Sequence, residues 1–288
     1  MEQLGEILNP HFLLRNALYA GLLVGLVCPQ VGIFFVLRRM ILLGIALPQV
    51  SNAGIAFAFL MHTLGWHLFY HMESEKVMAL SGSIVFTFIA IFTLAILERK
   101  QKGFAENRIG FTYALAGAAS ILFVAWNPYG QTEVLSMLKG EIISIPDIYV
   151  LSMLIIYGTI FIFLIGFHRN FILVSYDIDM ATTLGKNVIL WDTLLYLIIG
   201  IIISFGVMTV GPLVIFGFLL IPPMAAKMVT RGIFLFCIVS SIIGIFTSFI
   251  GFYISYRFDL PTGPTDVALL CAIFVMLYLG KIFFRLKR

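Results

Sequence analysis

The sequence predicts an all-α, polytopic integral membrane protein, a helical bundle of about nine spans. Three observations lead there. The 288-residue chain is 61% hydrophobic and only 11% charged, with a mean hydropathy of +1.07; a water-soluble domain of this size carries far more charge. Its apolar residues fall in continuous runs close to the ~20 residues that a helix needs to cross a bilayer core. The runs lack the alternation of transmembrane β-strands, so a barrel is excluded.

The runs are placed by length and by what interrupts them. The first, Phe12–Leu37, follows a segment with Glu2 and Glu6 and no basic residue, which does not look like a cleaved signal peptide. It stops at Arg38-Arg39, and the second, Leu42–Leu64, contains Pro48. The third, Val77–Leu97, stops at a basic cluster, and the fourth and fifth are Ile109–Trp126 and Ile148–Phe167. The sixth, Ile189–Thr209, and the short seventh, Leu213–Ala226, are joined by Gly211-Pro212 as a tight hairpin or one interrupted unit, which makes eight to ten the range. The eighth and ninth, Ile233–Tyr256 and Val267–Phe284, flank DLPTGP from Asp259, a tight external turn.

Charge sets the orientation. Arg38, Arg39, Arg99, Lys100, Lys102, Arg108, Arg169, Lys186, Lys227, Arg231, Lys281, Arg285, Lys287 and Arg288 fall on one side of nine spans; Arg15, Lys76, Lys139 and Arg257 fall on the other. The richer side is cytoplasmic, which puts the N-terminus outside and the C-terminus inside, as in a bacterial cell (inner) membrane. This sorting accounts for the net charge of +4, and nucleic-acid binding is given no weight. Cys28, Cys237 and Cys271 lie in separate spans without paired spacing and read as small apolar fillers. No linker or short-period repeat divides residues 1–288, so a single transmembrane domain is expected.

Motifs for catalysis and for primary pumping are missing. The chain has no G-x-x-x-x-G-K-[ST] loop, G-x-S-x-G elbow, H-E-x-x-H or C-x-x-C. Ionisable residues avoid the span interiors, with Asp192 near a span end and the other acids at ends or in loops. An ion-coupled carrier usually keeps such groups inside. The expectation is a transport subunit, not an enzyme, with no bound cofactor and with energy supplied by another chain. The loop 175–191, SYDIDMATTLGKNVILW, holds a short helix-forming stretch between Asp177 and Gly185. It reads as a docking surface for that chain or as a solvated interfacial helix.

Four stretches resemble one family over nearly the whole length: the permease subunits of zinc/manganese/iron ABC importers. YAGLLVGLVCPQVGIFFVLRR from Tyr19 resembles the family's first helix with its paired-Arg step. GIALPQVSNAG, Gly44–Gly54, stands where the family has a Gly-Asp-Ala-Leu-Ser-His type segment. DMATTLGKNV, Asp179–Val188, resembles the ATPase-facing coupling helix, and VGPLVIFGFLLIPPMAAKMVTR followed by DLPTGPT resembles the C-terminal third. Cobalamin- and siderophore-type importers share the coupling pattern more loosely. The resemblance implies a homodimer enclosing the pathway, cytoplasmic ATPase subunits that use the ATP, and an extracytoplasmic solute-binding protein. It implies that Asp177, Asp179, Thr183, Leu184 and Gly185 dock the ATPase. The implied cargo is a divalent transition metal.

The pathway positions depart from the family. Ile45 and Gln49 stand where the family has its metal-handling Asp and His. Ile has no donor and an amide oxygen is a weak one. Helical spacing places Ile45, Gln49, Asn52 and Ala56 on one face. Three readings of that face stand: a pore that conducts metal selected elsewhere, a path for a metal complex or another small solute, or amides that tie helices together. An ATPase-independent channel or facilitator is the alternative from another class. His62, His67 and His71 around the first external loop read as a metal entry site or as part of an interfacial belt. Gly211, Pro212, Pro222 and Pro223 mark a hinge for a gate or a fixed kink. The glycines of Ala20–Gly25 and Gly244–Gly251 read as sites of close helix approach.

Overall fold

The computed structural model describes residues 14–64, 75–100, 105–127 and 146–286. These form eleven helices and no strand: α1 (Arg15–Leu37), α2 (Ile41–Thr63), α3 (Glu75–Lys100), α4 (Ala105–Ala125), α5 (Asp147–Gly166), α6 (His168–Tyr176), α7 (Ile178–Thr183), α8 (Val188–Val210), α9 (Pro212–Val229), α10 (Ile233–Phe258) and α11 (Thr262–Leu286). Nine of the described helices are long and apolar enough to cross a membrane, and all nine coincide with the runs read from the sequence. The all-α fold and the multi-pass membrane character are therefore established.

Two features sharpen the sequence reading. Gly211 alone separates α8 from α9 with φ 88° and ψ 159°, a backbone region that L side chains rarely enter, so a glycine is required at the break. Pro212 then opens α9, where its missing N–H costs nothing. The second feature is α6. Apolar FILV carries the chain in helical form past the end of α5, with a break at Phe167 (φ −110°, ψ 14°) that the sequence did not announce.

The chain divides into two compact units. The first contains described residues 14–33, 146–162 and 217–286. Within it α1 and α10 run antiparallel in close contact. A Cβ on Gly25 would lie 2.6 Å from the carbonyl oxygen of Gly244, and one on Gly21 would lie 2.6 Å from Ser248 Oγ. Small residues permit that approach, and polar ones fasten it. Gln30 donates to the Cys237 carbonyl (2.8 Å) and to Ser241 Oγ (2.7 Å), and Ser241 donates to the Leu26 carbonyl (2.9 Å).

The second unit contains described residues 34–64, 75–100, 105–127 and 163–216. Helix α2 is its centre, buried along most of its length from Leu43 to Leu60. It meets α3 where Gly54 and Gly82 back onto each other, and Ser51 and Ser83 share a 2.5 Å hydrogen bond. Ser83 donates onward to the Ser204 carbonyl of α8 at 3.2 Å. Phe57 packs between Phe86 of α3 and Phe123 of α4, with ring centroids 5.1 and 5.3 Å away. Hydroxyl pairs at a helix crossing give a bundle a register that apolar packing in lipid leaves loose.

Candidate translocation and coupling sites

The short helix α7 is built to hold its shape alone. Asp177 is its N-cap, with extended backbone and a side chain that accepts from the Met180 N–H at 2.9 Å. At the other end Gly185 takes φ 72°. The Gly185 N–H bonds to the Thr182 carbonyl and the Lys186 N–H to the Ala181 carbonyl, both at 3.0 Å. That pair of bonds closes a six-residue helix which chain entropy alone would unravel. Thr183 donates to the Asp179 carbonyl at 2.5 Å. Ala181 is fully buried, while Tyr176, Ile178, Met180 and Leu184 are exposed. Asp177, Asp179, Thr183, Leu184 and Gly185 thus form one rigid, exposed knob whose top is apolar.

A charged anchor lies in the same unit. Arg38 forms an ion pair with Asp192 of α8 at 2.6 Å and donates from Nε to Ser175 Oγ of α6 at 3.1 Å. Its guanidinium stands 5.5 Å from the Tyr196 ring centroid. Arg38 thus joins the elements on both sides of α7. Sequence reading gave Arg38 a topological charge and a place in the paired-Arg step, and Asp192 only a span end. The pair lies 154 residues apart in sequence (192 minus 38), so spacing could not reveal it.

The polar face of α2 points at α4. Asn52 is buried and donates to Ser120 Oγ at 3.2 Å, while its Oδ1 has no partner among the described residues. Gln49 is half-buried, its Nε2 3.5 Å from the place a Cβ on Gly117 would occupy. Ile45 is also half-buried, one turn away. The face therefore offers neutral amide oxygens from Gln49 and Asn52. Carbonyl-type oxygens are hard donors suited to Mn²⁺, and weaker than a carboxylate–imidazole pair.

The remaining sequence candidates separate. His62 is half-buried in the last turn of α2; His67 and His71 lie outside the described residues. No group of three His, Cys, Asp or Glu side chains able to hold a metal occurs among the described residues. Pro222 and Pro223 are buried within one unbroken helix, α9. Gly32 of α1 backs onto α9 so closely that a Cβ there would overlap the Leu219 carbonyl oxygen and sit 2.9 Å from Pro223 Cγ. That carbonyl is the one Pro223 leaves without an N–H partner four residues on.

One buried acid escaped the sequence reading. Asp266 occupies the start of α11 and reads there as a span-end charge, yet it is 3% exposed. Its carboxyl group presses on Gly251 of α10, and its Oδ1 has no hydrogen-bond partner among the described residues. An unpaired buried polar atom is destabilising. Asp266→Leu, close in shape, is expected to stabilise the detergent-solubilised protein by about 1–3 kcal/mol, raising its thermal midpoint. A lower midpoint would show that the carboxyl group is satisfied within the folded chain.

The match to known families settles what carries these sites: residues 11–281 fit the ABC 3 transport family. The chain belongs to the ABC 3 transport family. The resemblance read from the four stretches is thereby borne out. Similar members include the manganese transport system membrane protein MntC of Listeria monocytogenes, 26% identical over 95% of this chain and 92% of that protein. The manganese import system permease protein ScaB of Streptococcus gordonii is 26% identical over 92% and 90%. A probable iron transport system membrane protein of Haemophilus influenzae is 26% identical over 92% and 88%. Among solved structures, PsaBC of Streptococcus pneumoniae in complex with Fab superposes with a TM-score of 0.81 at 23% identity, covering 100% of this chain and 99% of that one. An inward-facing putative metal-chelate type ABC transporter gives 0.68 at 15% identity, over 94% and 86%. This ABC 3 protein is thus a membrane-spanning transport component with the fold of importer permeases.

Proposed function

We propose that this chain is the permease subunit of an ATP-driven importer of a divalent transition metal, with manganese the first candidate. The observation that carries the transport half is α7, a doubly capped exposed helix with an apolar top. It suits docking on a cytoplasmic ATPase subunit that hydrolyses the ATP, and Arg38 passes its displacement to the spans. Two copies form the pathway, and an extracytoplasmic solute-binding protein delivers the cargo. The membrane is the bacterial inner membrane, with the N-terminus outside and the C-terminus in the cytoplasm.

The cargo reading rests on relatives named for manganese and iron and on the oxygen donors of Gln49 and Asn52. Weak donors suit a pore that must release what it passes, with selection left to the binding protein. Zinc, which prefers nitrogen and sulfur ligands, fits this face less well. A second reading follows from Ile45 and Gln49: neutral amides also suit a metal complex or another small solute.

Proteoliposomes holding this chain with its ATPase and binding protein test both. ATP-dependent Mn²⁺ uptake is expected, and Gln49→Ala should lower it roughly tenfold, the scale of one lost polar contact. Uptake without ATP would indicate a channel or facilitator. ATPase activity stimulated only by a metal complex or organic solute would transfer the assignment to the second reading.

A further inference from the structure

In the first unit, Asp266 stands on α11 one turn past Thr262 and is 3% exposed. Its neighbour Val267 packs on α9, where a Cβ on Gly217 would lie 2.8 Å from Val267 Cγ2. The carboxyl group itself lies on α10. Its Oδ1 occupies the space that a Cβ on Gly251 would need, and its Cγ is 3.0 Å from that point. Glycine at 251 thus lets the carboxyl group rest directly on helix backbone.

The surroundings decide the state of that group. Thr247 donates to the Ile243 carbonyl at 2.7 Å and Ser255 to the Leu260 carbonyl at 2.5 Å, while Ser248 faces Gly21 of α1. These buried hydroxyls on α10 are directed elsewhere. Charges are no closer. Helix α9 carries Lys227 in its last turn, and α10 carries Arg257, six residues or about 9 Å along the axis from Gly251. Tyr253 and Tyr256 share that end of α10, Asp259 follows it, and α11 itself carries Cys271, Tyr278 and Lys281. None of them bonds to Oδ1, which has no hydrogen-bond partner among the described residues. A carboxylate stripped of water needs donors or a counter-charge. A metal cation needs several oxygen ligands around it, and on the Gly251 side the carboxyl group meets backbone with no gap. A proton needs no room.

We propose that Asp266 is a proton-binding site. The carboxyl group holds its proton for as long as α11 lies on α10, and gives it up when the two helices part and water reaches it. Protonation therefore favours the packed form and deprotonation the parted one. Acid holds α11 down, and alkali loosens it.

Infrared spectroscopy of the full-length chain in detergent at pH 7 reads the proton directly. Hydrated carboxyl groups are ionised there, so a carboxylic-acid C=O band that shifts in D₂O and is lost in Asp266→Asn is expected. Gly251→Ala, whose methyl group displaces the carboxyl group from its seat, should remove the same band with the aspartate still present. Linkage gives a second readout. The folded chain keeps a proton that the unfolded chain releases above about pH 4, so stability falls as pH rises. Relative to Asp266→Asn, the folding equilibrium of the wild type should drop about tenfold per pH unit between about pH 5 and 7. The absence of a band specific to Asp266, a band unchanged in Gly251→Ala, or a stability difference that stays flat with pH overturns the proposal. So does a carboxylate band that moves when Na⁺ is replaced by choline, which would put a metal cation where the proton is assigned.

Discussion

Gly32→Ala is expected to remove much of the folded protein, because among the described glycines an added Cβ comes nearest to another atom here. The added carbon would overlap a backbone oxygen, that of Leu219, which no rotamer change can move. Separating α1 from α9 is the only relief, and it surrenders the packing around Pro223 as well. Pro223 denies the Leu219 carbonyl its helical donor, so the close Cα–H of Gly32 is what covers that oxygen. A cost of at least about 3 kcal/mol follows, the upper end of what overpacking typically costs, because this site cannot yield. Gly158→Ala and Gly110→Ala are the matched controls. A Cβ at either meets nothing within 4 Å, and alanine is favoured over glycine in a helix by about 1 kcal/mol. The readout is the monodisperse fraction on size exclusion and its thermal midpoint in detergent. A Gly32→Ala protein as stable as the controls would disprove the contact.

The contrast between Gly32 and Gly158 also shows what a sequence can and cannot reveal. Both are glycines in long apolar runs, and composition treats them alike. The nine spans were legible because lipid imposes a length and an apolar filling on each segment separately, with no reference to the others. The same holds for α7, whose Asp177 and Gly185 are local stop signals. Contacts between distant segments left no such trace. Asn52 was visible as part of an amide face, but its partner Ser120 was not, and Ser51–Ser83–Ser204 is a path through three helices. Asp266 misled because position within a span was taken for exposure, whereas the buried side of a helix end is as dry as its middle.

Arg38 carries the last expectation, because its side chain bonds to both elements that flank α7, Ser175 of α6 and Asp192 of α8. Arg38→Met leaves Asp192 without its 2.6 Å partner and removes the bond to Ser175 and the stack on Tyr196. The Arg38 side chain is 14% exposed and that of Asp192 is 29% exposed, so the pair is shielded but not dry. Breaking a buried pair costs about 3–5 kcal/mol; with this residual hydration about 2–3 kcal/mol is expected. Lysine should not restore it, since an ammonium cannot reach carboxylate and hydroxyl together while stacking on an aromatic face. Asp192→Leu combined with Arg38→Met removes both charges and should recover much of the loss, a coupling of about 1–3 kcal/mol in the double-mutant cycle. Transport distinguishes an anchor from a mere brace. With the partner ATPase present, the Arg38→Met/Asp192→Leu protein should fold and still stimulate ATP hydrolysis while uptake per ATP falls, because α7 then moves without carrying α8 with it. Additive single-mutant losses would dissolve the pair as an energetic unit. Undiminished uptake per ATP in the folded double mutant would show that force travels from the knob to the spans by another route.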